Sequence, residues 1–231
     1  MIGIICALSI EADGIKNMMM DKKESTYGKI IYTSGVINGN NAVVAECGIG
    51  KVNAAMCTQI MIDRFSPNAI INSGIAGALS KELAVGDIVI ARDVVQHDMD
   101  ATELGDPLGQ IQFNDEKRIE IPCDAELSEK LKNACSVLIN TRALQGRIAT
   151  GDVFVSAKEK RLSVGNTFNA HACEMEGGAV GQVCYRNEVP FAILRSISDS
   201  IEENTAMDFM QFSQLAADNS IKVIAELFSR L

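Results

Sequence analysis

Short apolar runs alternate with longer segments of helical spacing along this chain. The apolar runs predict buried strands at residues 2–8, 69–73, 85–95, 143–149 and 189–194. Apolar side chains recur at helical spacing in three segments, which predict helices at residues 52–65, 124–140 and 205–229. Strands alternating with helices predict an α/β fold in which helices flank a central mixed β-sheet.

The connecting segments carry further structural signals. Residues 29–36 and 42–47 flank an Asn-Gly-Asn turn, a pattern typical of a β-hairpin. After the first strand, a helix is predicted to end in the charged residues 21–24. The glycine-rich residues 74–77 predict a tight loop against a ligand or another backbone. Residues 104–121 are predicted to form an irregular excursion that covers a site or a subunit.

Two carboxylates lie close together near the end of a predicted strand. If residues 171–176 are extended, Glu174 and Glu176 point to the same face, with Met175 opposite. Asp199 follows the apolar run at 189–194, and ligands of open α/β sheets bind beyond such carboxyl ends. Singly, each acid is explained as a solvated loop residue or as a favourable charge at a helix start. Together they favour a functional site.

Glu11 adds another acid at a turn from strand to helix. Further along, Gly48, Ile49, Gly50 and Lys51 open the helix at 52–65. This segment is too short for a phosphate-binding loop, which needs four residues between its glycines and a Ser or Thr after the Lys. A turn that requires glycine is the favoured interpretation.

Composition narrows the classes of protein. The 231 residues are 47% hydrophobic, which predicts one domain over residues 1–231. A sequence pI of about 4.8 without a Lys/Arg cluster argues against nucleic acid as a partner. The first apolar run is too short to span a membrane. Seven scattered cysteines suggest reduced thiols in the cytoplasm. The only two histidines, His97 and His171, supply neither a His-based zinc site nor a Ser-His-Asp triad. A metal at His97 with Asp98 and Asp100 is the weaker alternative to a structural loop.

Six segments occur in an order that is specific to one family: residues 3–5 with Glu11, then 48–52, 72–77, 85–89, 174–176 and 196–199. The chain resembles the bacterial 5'-methylthioadenosine/S-adenosylhomocysteine nucleosidases of the nucleoside phosphorylase/nucleosidase superfamily, almost from end to end. The resemblance implies a nucleoside phosphorylase-like fold without a cofactor. It also implies hydrolysis of an N-glycosidic bond, which releases adenine and a 5-thioribose product.

The resemblance implies roles for three acids. Breaking the bond leaves positive charge on the ribose and negative charge on the purine, so the reaction needs carboxylates at the sugar and a proton donor at the base. Asp199 is expected to donate to the seven-position nitrogen of the purine, with its pKa raised by burial. Glu11 is expected to hold the attacking water. Glu174 is expected to help organise the water and the sugar face.

Binding residues are implied in the same way. Glu176 is expected to grip the ribose hydroxyls, Phe154 to stack on adenine, and the Val155 backbone to contact the edge of the base. From spacing alone, Phe154 is a core residue and Val155 an ordinary strand end. Ile75 occupies a position where the family often has a serine. The remaining contacts are implied for Met175 at the sugar, Ile49 and Leu8 at the 5'-substituent, Ser198 beside Asp199, and Phe209 as the closure from the last helix.

The family also implies a homodimer in which Ala101, Leu104 and Ile111 lie near the neighbouring active site.

Three alternative functions stay open. A phosphorylase would need cations for phosphate, which Glu11 argues against, since Arg195 is the one cation near the motif. A nucleosidase for another 5'-modified adenosine, such as aminodeoxyfutalosine, is the second. A non-catalytic nucleoside sensor is the third.

Overall fold

The computed structural model describes residues 1–201 and 205–231, and in the last helix it describes the side chains at 209 and from 211 onward. The strands are β1 (Ile2–Cys6), β2 (Met20–Tyr27), β3 (Ile30–Ile37), β4 (Asn40–Glu46), β5 (Ala69–Ala78), β6 (Ile88–Gln96), β7 (Ile111–Gln112), β8 (Lys117–Arg118), β9 (Ile121–Pro122), β10 (Ala143–Thr150), β11 (Ala172–Glu174) and β12 (Phe191–Asp199). The helices are α1 (Ser9–Asn17), α2 (Lys51–Phe65), α3 (Ala125–Ala134), α4 (Lys158–Phe168), α5 (Gly177–Arg186) and α6 (Thr205–Ser229).

Most strands join one sheet in the order β11-β10-β6-β12-β5-β1-β4-β3-β2, with β9 paired to β6. The pairings of β1 with β4 and β5 are parallel, whereas those of β3 with β2 and β4 are antiparallel. The short β11 pairs with both β10 and β5, which closes that half of the sheet into a ring. The predicted mixed sheet with flanking helices is confirmed.

Helices cover both faces of the sheet. On one face, α2 and α5 contribute Met61 and Val180 to a core cluster, and on the other, α1, α3 and α6 contribute Ile15, Leu131 and Phe228. All nine residues of β12 are buried, because a strand covered on both faces exposes neither side. No described helix combines the length and apolarity that crossing a membrane requires.

Several predicted elements are confirmed. The hairpin is formed by β3 and β4, and α2 follows the predicted bounds closely. Asp124 caps α3 by accepting a hydrogen bond from the backbone N–H of Leu127 at 2.8 Å. Local sequence patterns were therefore sufficient for these elements.

Three predictions differ from the structure. The charged residues 21–24 do not end a helix but lie in β2, an exposed edge strand where polar side chains face water. Residues 74–77 are not a loop, because β5 runs through them. Helix α4 was not predicted, since one of its three buried positions, Arg161, is charged and interrupts the apolar period.

Candidate active site

One pocket lies at the carboxyl ends of β1, β5, β11 and β12. Its volume is about 630 Å³ including the space at the open mouth. All twelve site residues predicted from the sequence line it: Leu8, Glu11, Ile49, Ile75, Phe154, Val155, Glu174, Met175, Glu176, Ser198, Asp199 and Phe209. Six further residues line the pocket: Ala7, Ala76, Gly77, Val153, Arg161 and Cys173. Of these, Ala76 and Gly77 belong to the segment 74–77 that was predicted to lie against a ligand or another backbone.

The Glu11 carboxylate is fixed by backbone N–H donors that follow β1 and by one that lies within β5. Its Oε2 accepts from the N–H groups of Ala7 at 3.0 Å and Leu8 at 2.9 Å, and its Oε1 accepts from Ile75 at 3.0 Å. A Cβ at Gly74 would lie only 2.8 Å from Oε1, so this close approach requires glycine. Burial raises the pKa of Glu11, and these N–H groups and Arg195 only partly offset that effect.

Glu174 ends β11 and is held by donors on both of its oxygens. Oε2 accepts from the N–H groups of Glu176 at 3.0 Å and Gly177 at 2.6 Å, and it also pairs with Arg195. Oε1 accepts from the hydroxyl of Thr150, which in turn accepts from the Gly178 N–H at 2.6 Å. Glu174 therefore fixes the start of α5 to β10 and β12.

Glu176 is the N-cap residue of α5, where the positive end of the helix favours a carboxylate. Its Oε1 accepts from the Gly50 N–H at 2.8 Å, which ties the loop before α2 to the pocket. Burial, and next the neighbouring charge of Glu174, raise the pKa of Glu176 to about 7. Its other oxygen has no hydrogen-bond partner among the described residues and can contact a ligand.

Arg195 supplies the positive charge for this group of acids. The guanidinium is buried and donates to Glu174, to the Asn72 side chain and to the Asn72 backbone carbonyl at 3.2 Å. Burial opposes its charge, but Glu174, Glu176 and Glu11 together raise its pKa. Three carboxylates thus surround one cation, and the cluster favours a positive charge in the space beside it.

Asp199 ends β12 and has a separate cation. Its Oδ1 accepts from the hydroxyl of Ser198 at 2.6 Å, and its Oδ2 pairs with Arg161 of α4. A Cβ at Gly77 would lie 2.9 Å from Oδ2 and 2.7 Å from the Arg161 guanidinium, so glycine is again required. The prediction that Arg195 is the one cation near the motif is therefore wrong. Arg161 was missed because α4 was missed.

Lys51 does not behave as a phosphate-binding lysine. Its Nζ donates to Asp98 at 2.7 Å and to Gln96 at 3.2 Å, and its backbone N–H donates to Asp152 at 2.8 Å. Gly50 before it has φ +100°, a conformation that favours glycine. The structure agrees with the interpretation of this segment as a glycine turn.

Apolar side chains form the walls. The rings of Phe154 and Phe209 meet edge to face with centroids 5.6 Å apart. Phe154 is 48% exposed, so the alternative that spacing alone favoured, a core residue, is wrong. Ile75 is buried at the base of the pocket, whereas Ile49 is exposed at its rim.

The segment expected near a neighbouring subunit has two different parts. Ile111 is only 5% exposed and packs in the core of its own chain, so it is not available to another subunit. Leu104, in contrast, is 84% exposed. Within the described chain, residues 101–111 do not line the pocket.

A mixed α/β sheet with an acid-lined pocket at its strand ends defines a protein of the nucleoside phosphorylase class. The sequence model of the phosphorylase superfamily matches residues 1–229. A 5'-methylthioadenosine/S-adenosylhomocysteine nucleosidase of Staphylococcus haemolyticus is 36% identical over 235 residues, which cover all of both chains. The chain belongs to this nucleosidase family within the phosphorylase superfamily.

Solved structures agree with this assignment. The nucleosidase of Neisseria meningitidis, in complex with methylthio-immucillin-A, superposes with a TM-score of 0.94 at 35% identity and covers 100% of this chain and 99% of its own. The futalosine hydrolase of Helicobacter pylori superposes with a TM-score of 0.92 at 34% identity and covers 100% and 97%. Both relatives share the whole fold.

Proposed function

We propose that this chain hydrolyses the N-glycosidic bond of 5'-methylthioadenosine and S-adenosylhomocysteine, releasing adenine and a 5-thioribose product. The observation that carries the proposal is the placement of two buried acids along β5. Glu11 packs against this strand at Gly74, and Asp199 packs against it at Gly77. The two strand positions are about 10 Å apart, so the acids can serve opposite ends of a nucleoside.

The chemistry follows from the charges that bond cleavage creates. Asp199 donates a proton to the departing purine, which removes its developing negative charge. Glu11 accepts a proton from the attacking water, and burial, which raises its pKa, makes it a stronger base than a free glutamate. The cluster of Glu11, Glu174 and Glu176 stabilises the positive charge that develops on the ribose.

Binding of the substrate uses the remaining lining residues. Glu176 accepts from the ribose hydroxyls through its unpaired oxygen, and Met175 packs on the sugar. Phe154 stacks on adenine, and Phe209 closes the pocket. Ile49 and Leu8 contact the 5'-substituent, for which an apolar wall suits an alkylthio group.

The charges around the pocket support water rather than phosphate as the nucleophile. Among the described lining side chains Arg161 is the sole cation, and its donors are directed to Asp199 and to backbone carbonyls. Arg195 is directed to Glu174 and Asn72, and Lys51 to Asp98. A phosphate in the pocket would find the Arg161 donors engaged and the Glu11 carboxylate opposing its charge, and neither Arg195 nor Lys51 lines the described pocket.

A second candidate substrate is a 5'-modified adenosine with a larger substituent, such as aminodeoxyfutalosine. Two observations favour it: the similarity to the Helicobacter pylori futalosine hydrolase and the exposure of Ile49, which leaves that rim of the pocket open. A large polar 5'-group could extend from this rim into water. The acids that act on the glycosidic bond are the same for both substrates.

The assembly that we propose is a homodimer in a reducing cytoplasm. In this dimer the exposed Leu104, together with Ala101, would cover the apolar rim of a neighbouring pocket; the exposure of Leu104, and of Ile49 and Val153 at the rim, supports this proposal. Leu104→Glu is expected to shift the protein toward monomer in light scattering and to raise KM. A dimer with unchanged KM in this variant would contradict the proposed interface.

Adenine release tests the proposed function. Methylthioadenosine, S-adenosylhomocysteine, aminodeoxyfutalosine and adenosine are compared in phosphate-free buffer and again with phosphate added. We expect rapid release from the thio-substituted nucleosides without phosphate and slow release from adenosine. A strict requirement for phosphate would overturn the proposal, and the highest kcat/KM for aminodeoxyfutalosine would favour the second candidate.

A further inference from the structure

We propose that Arg161 is a positioning residue that acts through Asp199, fixing the proton-donating carboxyl relative to the segment that contacts the base. This inference rests on the proposed function, because it assigns Asp199 to the purine. Arg161 lies in the first turn of α4 and is 1% exposed. A buried arginine needs a full set of acceptors, so its partners show what it holds in place.

The guanidinium joins three backbone segments around the pocket. Its Nε donates to the Val155 carbonyl at 2.9 Å, and its Nη1 donates to the carbonyls of Ser200 at 2.9 Å and Ala78 at 3.3 Å. These carbonyls lie in the loop before α4, after β12 and at the end of β5. Arg161 therefore connects the ends of two central strands to the loop that carries Phe154 and Val155.

The same guanidinium fixes the carboxyl of Asp199. Nη2 donates to Oδ2, while Ser198 donates to Oδ1 from the opposite side at 2.6 Å. With a donor on each oxygen, the carboxyl plane cannot rotate freely. Gly77 permits this packing, because a Cβ there would collide with both the guanidinium and Oδ2. The acid and the Val155 carbonyl are thus held at a fixed separation by a single planar group.

This arrangement matters because proton transfer depends on geometry. A donor misplaced by about 1 Å loses on the order of 100-fold in rate. Arg161 does not need to touch the reacting atoms to control this step. Its removal is expected to lower kcat more than it raises KM, since Glu176 and Ile49, which bind the substrate from outside the segments that Arg161 joins, keep their positions.

A double-mutant cycle tests whether Arg161 acts through Asp199. Adenine release from methylthioadenosine is measured for the wild type, Arg161→Met, Asp199→Asn and the double variant. We expect Arg161→Met to lower kcat by about 10- to 100-fold with a change in KM of less than about threefold. In the background of Asp199→Asn the same substitution is expected to have little further effect, because the group it positions is gone. If the fall in kcat of the double variant equals the product of the falls in the two single variants, the two residues act independently and the proposal is overturned.

Arg161→Lys and a matched pair provide the controls. Lysine keeps the charge but not the planar set of donors, so kcat is expected to lie between those of the wild type and Arg161→Met. The partly exposed Arg147 and the buried Asp93 form an ion pair whose residues do not line the described pocket, and Arg147 also donates to the Phe168 carbonyl at 2.9 Å. Arg147→Met is expected to lower stability without changing kcat. Equal loss of kcat in both Arg→Met variants would assign Arg161 a purely structural role.

Failure of the inference is distinguishable from failure of the proposed function. If the wild type releases no adenine, the proposed function is wrong. If the wild type is active but Arg161→Met and Arg161→Lys both retain full kcat, the function stands and the positioning role is wrong. If Arg161→Met does not fold, the same double-mutant cycle is measured with Arg161→Lys, alone and combined with Asp199→Asn.

Discussion

The two ends of the pocket balance charge in different ways. At one end Glu11, Glu174 and Glu176 surround a single cation, Arg195. At the other end Asp199 has a cation of its own, Arg161. The first arrangement leaves net negative charge, which suits a sugar that becomes positive in the transition state. The second reaches one-to-one balance once Asp199 has given its proton to the departing base, because Arg161 then pairs with the carboxylate that remains.

The comparison shows how one pocket can give neighbouring carboxyls different tasks. Where acids are crowded and buried, as at Glu176, the pKa of the carboxyl rises to about 7. Where an acid is clamped by a guanidinium and a hydroxyl, as at Asp199, geometry is controlled more tightly. We infer that the Glu11, Glu174 and Glu176 end acts through the electrostatic potential of its carboxylates. The Asp199 end acts through the precise position of its carboxyl.

The strongest test of the difference is Asp199→Asn. The amide keeps the shape of the side chain but cannot deliver the proton, so kcat is expected to fall by about 1,000-fold, within the range for general acid catalysis. KM is expected to change far less. The control is Asp93→Asn, which removes a buried acid paired with Arg147 outside the pocket and should leave kcat unchanged. Full activity in Asp199→Asn would remove it from the acid role.

Glu11→Gln tests the other end. The amide oxygen can still accept from the Ala7 and Leu8 N–H groups, but the NH2 group cannot accept from Ile75 and the side chain no longer takes a proton from water. We expect kcat to fall by about 100-fold or more, as for loss of a general base. Initial rates at saturating methylthioadenosine measure this effect. An unchanged rate would show that the water is activated elsewhere.

The crowding of acids predicts a pH dependence of stability that is carried by Glu176. Its pKa of about 7 lies above the unfolded value near 4.5, so its favourable contribution is complete below pH 4.5 and is lost as the pH rises through 7. Between pH 5 and pH 8 the loss amounts to about 2–3 kcal/mol. Urea unfolding of wild type and Glu176→Gln at pH 5 and pH 8 measures it.

Glu176→Gln should lose less free energy of unfolding between these two pH values than the wild type. The matched control is Glu126→Gln, which changes an exposed glutamate on α3. This control should keep the pH dependence of the wild type. The same dependence in all three proteins would mean that Glu176 is not the group responsible.

The smallest expected effect on activity comes from Phe154 in the apolar wall of the pocket, not from a charged residue. Phe154→Ala removes the ring that is proposed to stack on adenine, and stacking on one base contributes about 1–3 kcal/mol. We therefore expect KM to rise by about tenfold while kcat falls little, because both acids remain in place. Phe154→Tyr should retain most of the affinity. A fall in kcat with unchanged KM would instead show that Phe154 acts on the bond-breaking step and not on substrate binding.

Much of the fold and of the site could be predicted from local patterns. Apolar runs and helical spacing located β1, β10, α2 and α6, since burial on sheet faces requires such patterns. The family resemblance located twelve lining residues of the pocket, eight of them in the six motif segments and four, Leu8, Phe154, Val155 and Phe209, outside those segments. The difference in charge between the two ends of the pocket, three glutamates around Arg195 and one aspartate paired with Arg161, was not predicted.

The missed features depend on long-range contacts. Arg161 follows two ordinary exposed residues, Glu159 and Lys160, and only its approach to Asp199, 38 positions away, distinguishes it. Residues 74–77 resemble a loop in composition, yet their glycines lie in β5 because carboxylates pack against the strand. Local pattern contains no information about either contact.

The central claim is that an acid at one end of the pocket and a water-activating acid at the other act on the same bond. The most direct test is the identity of the sugar product when methylthioadenosine is converted with phosphate present, analysed by mass spectrometry. Our account predicts free 5-methylthioribose together with adenine. Formation of the sugar phosphate would contradict it, because phosphate would then have taken the place of the water assigned to Glu11.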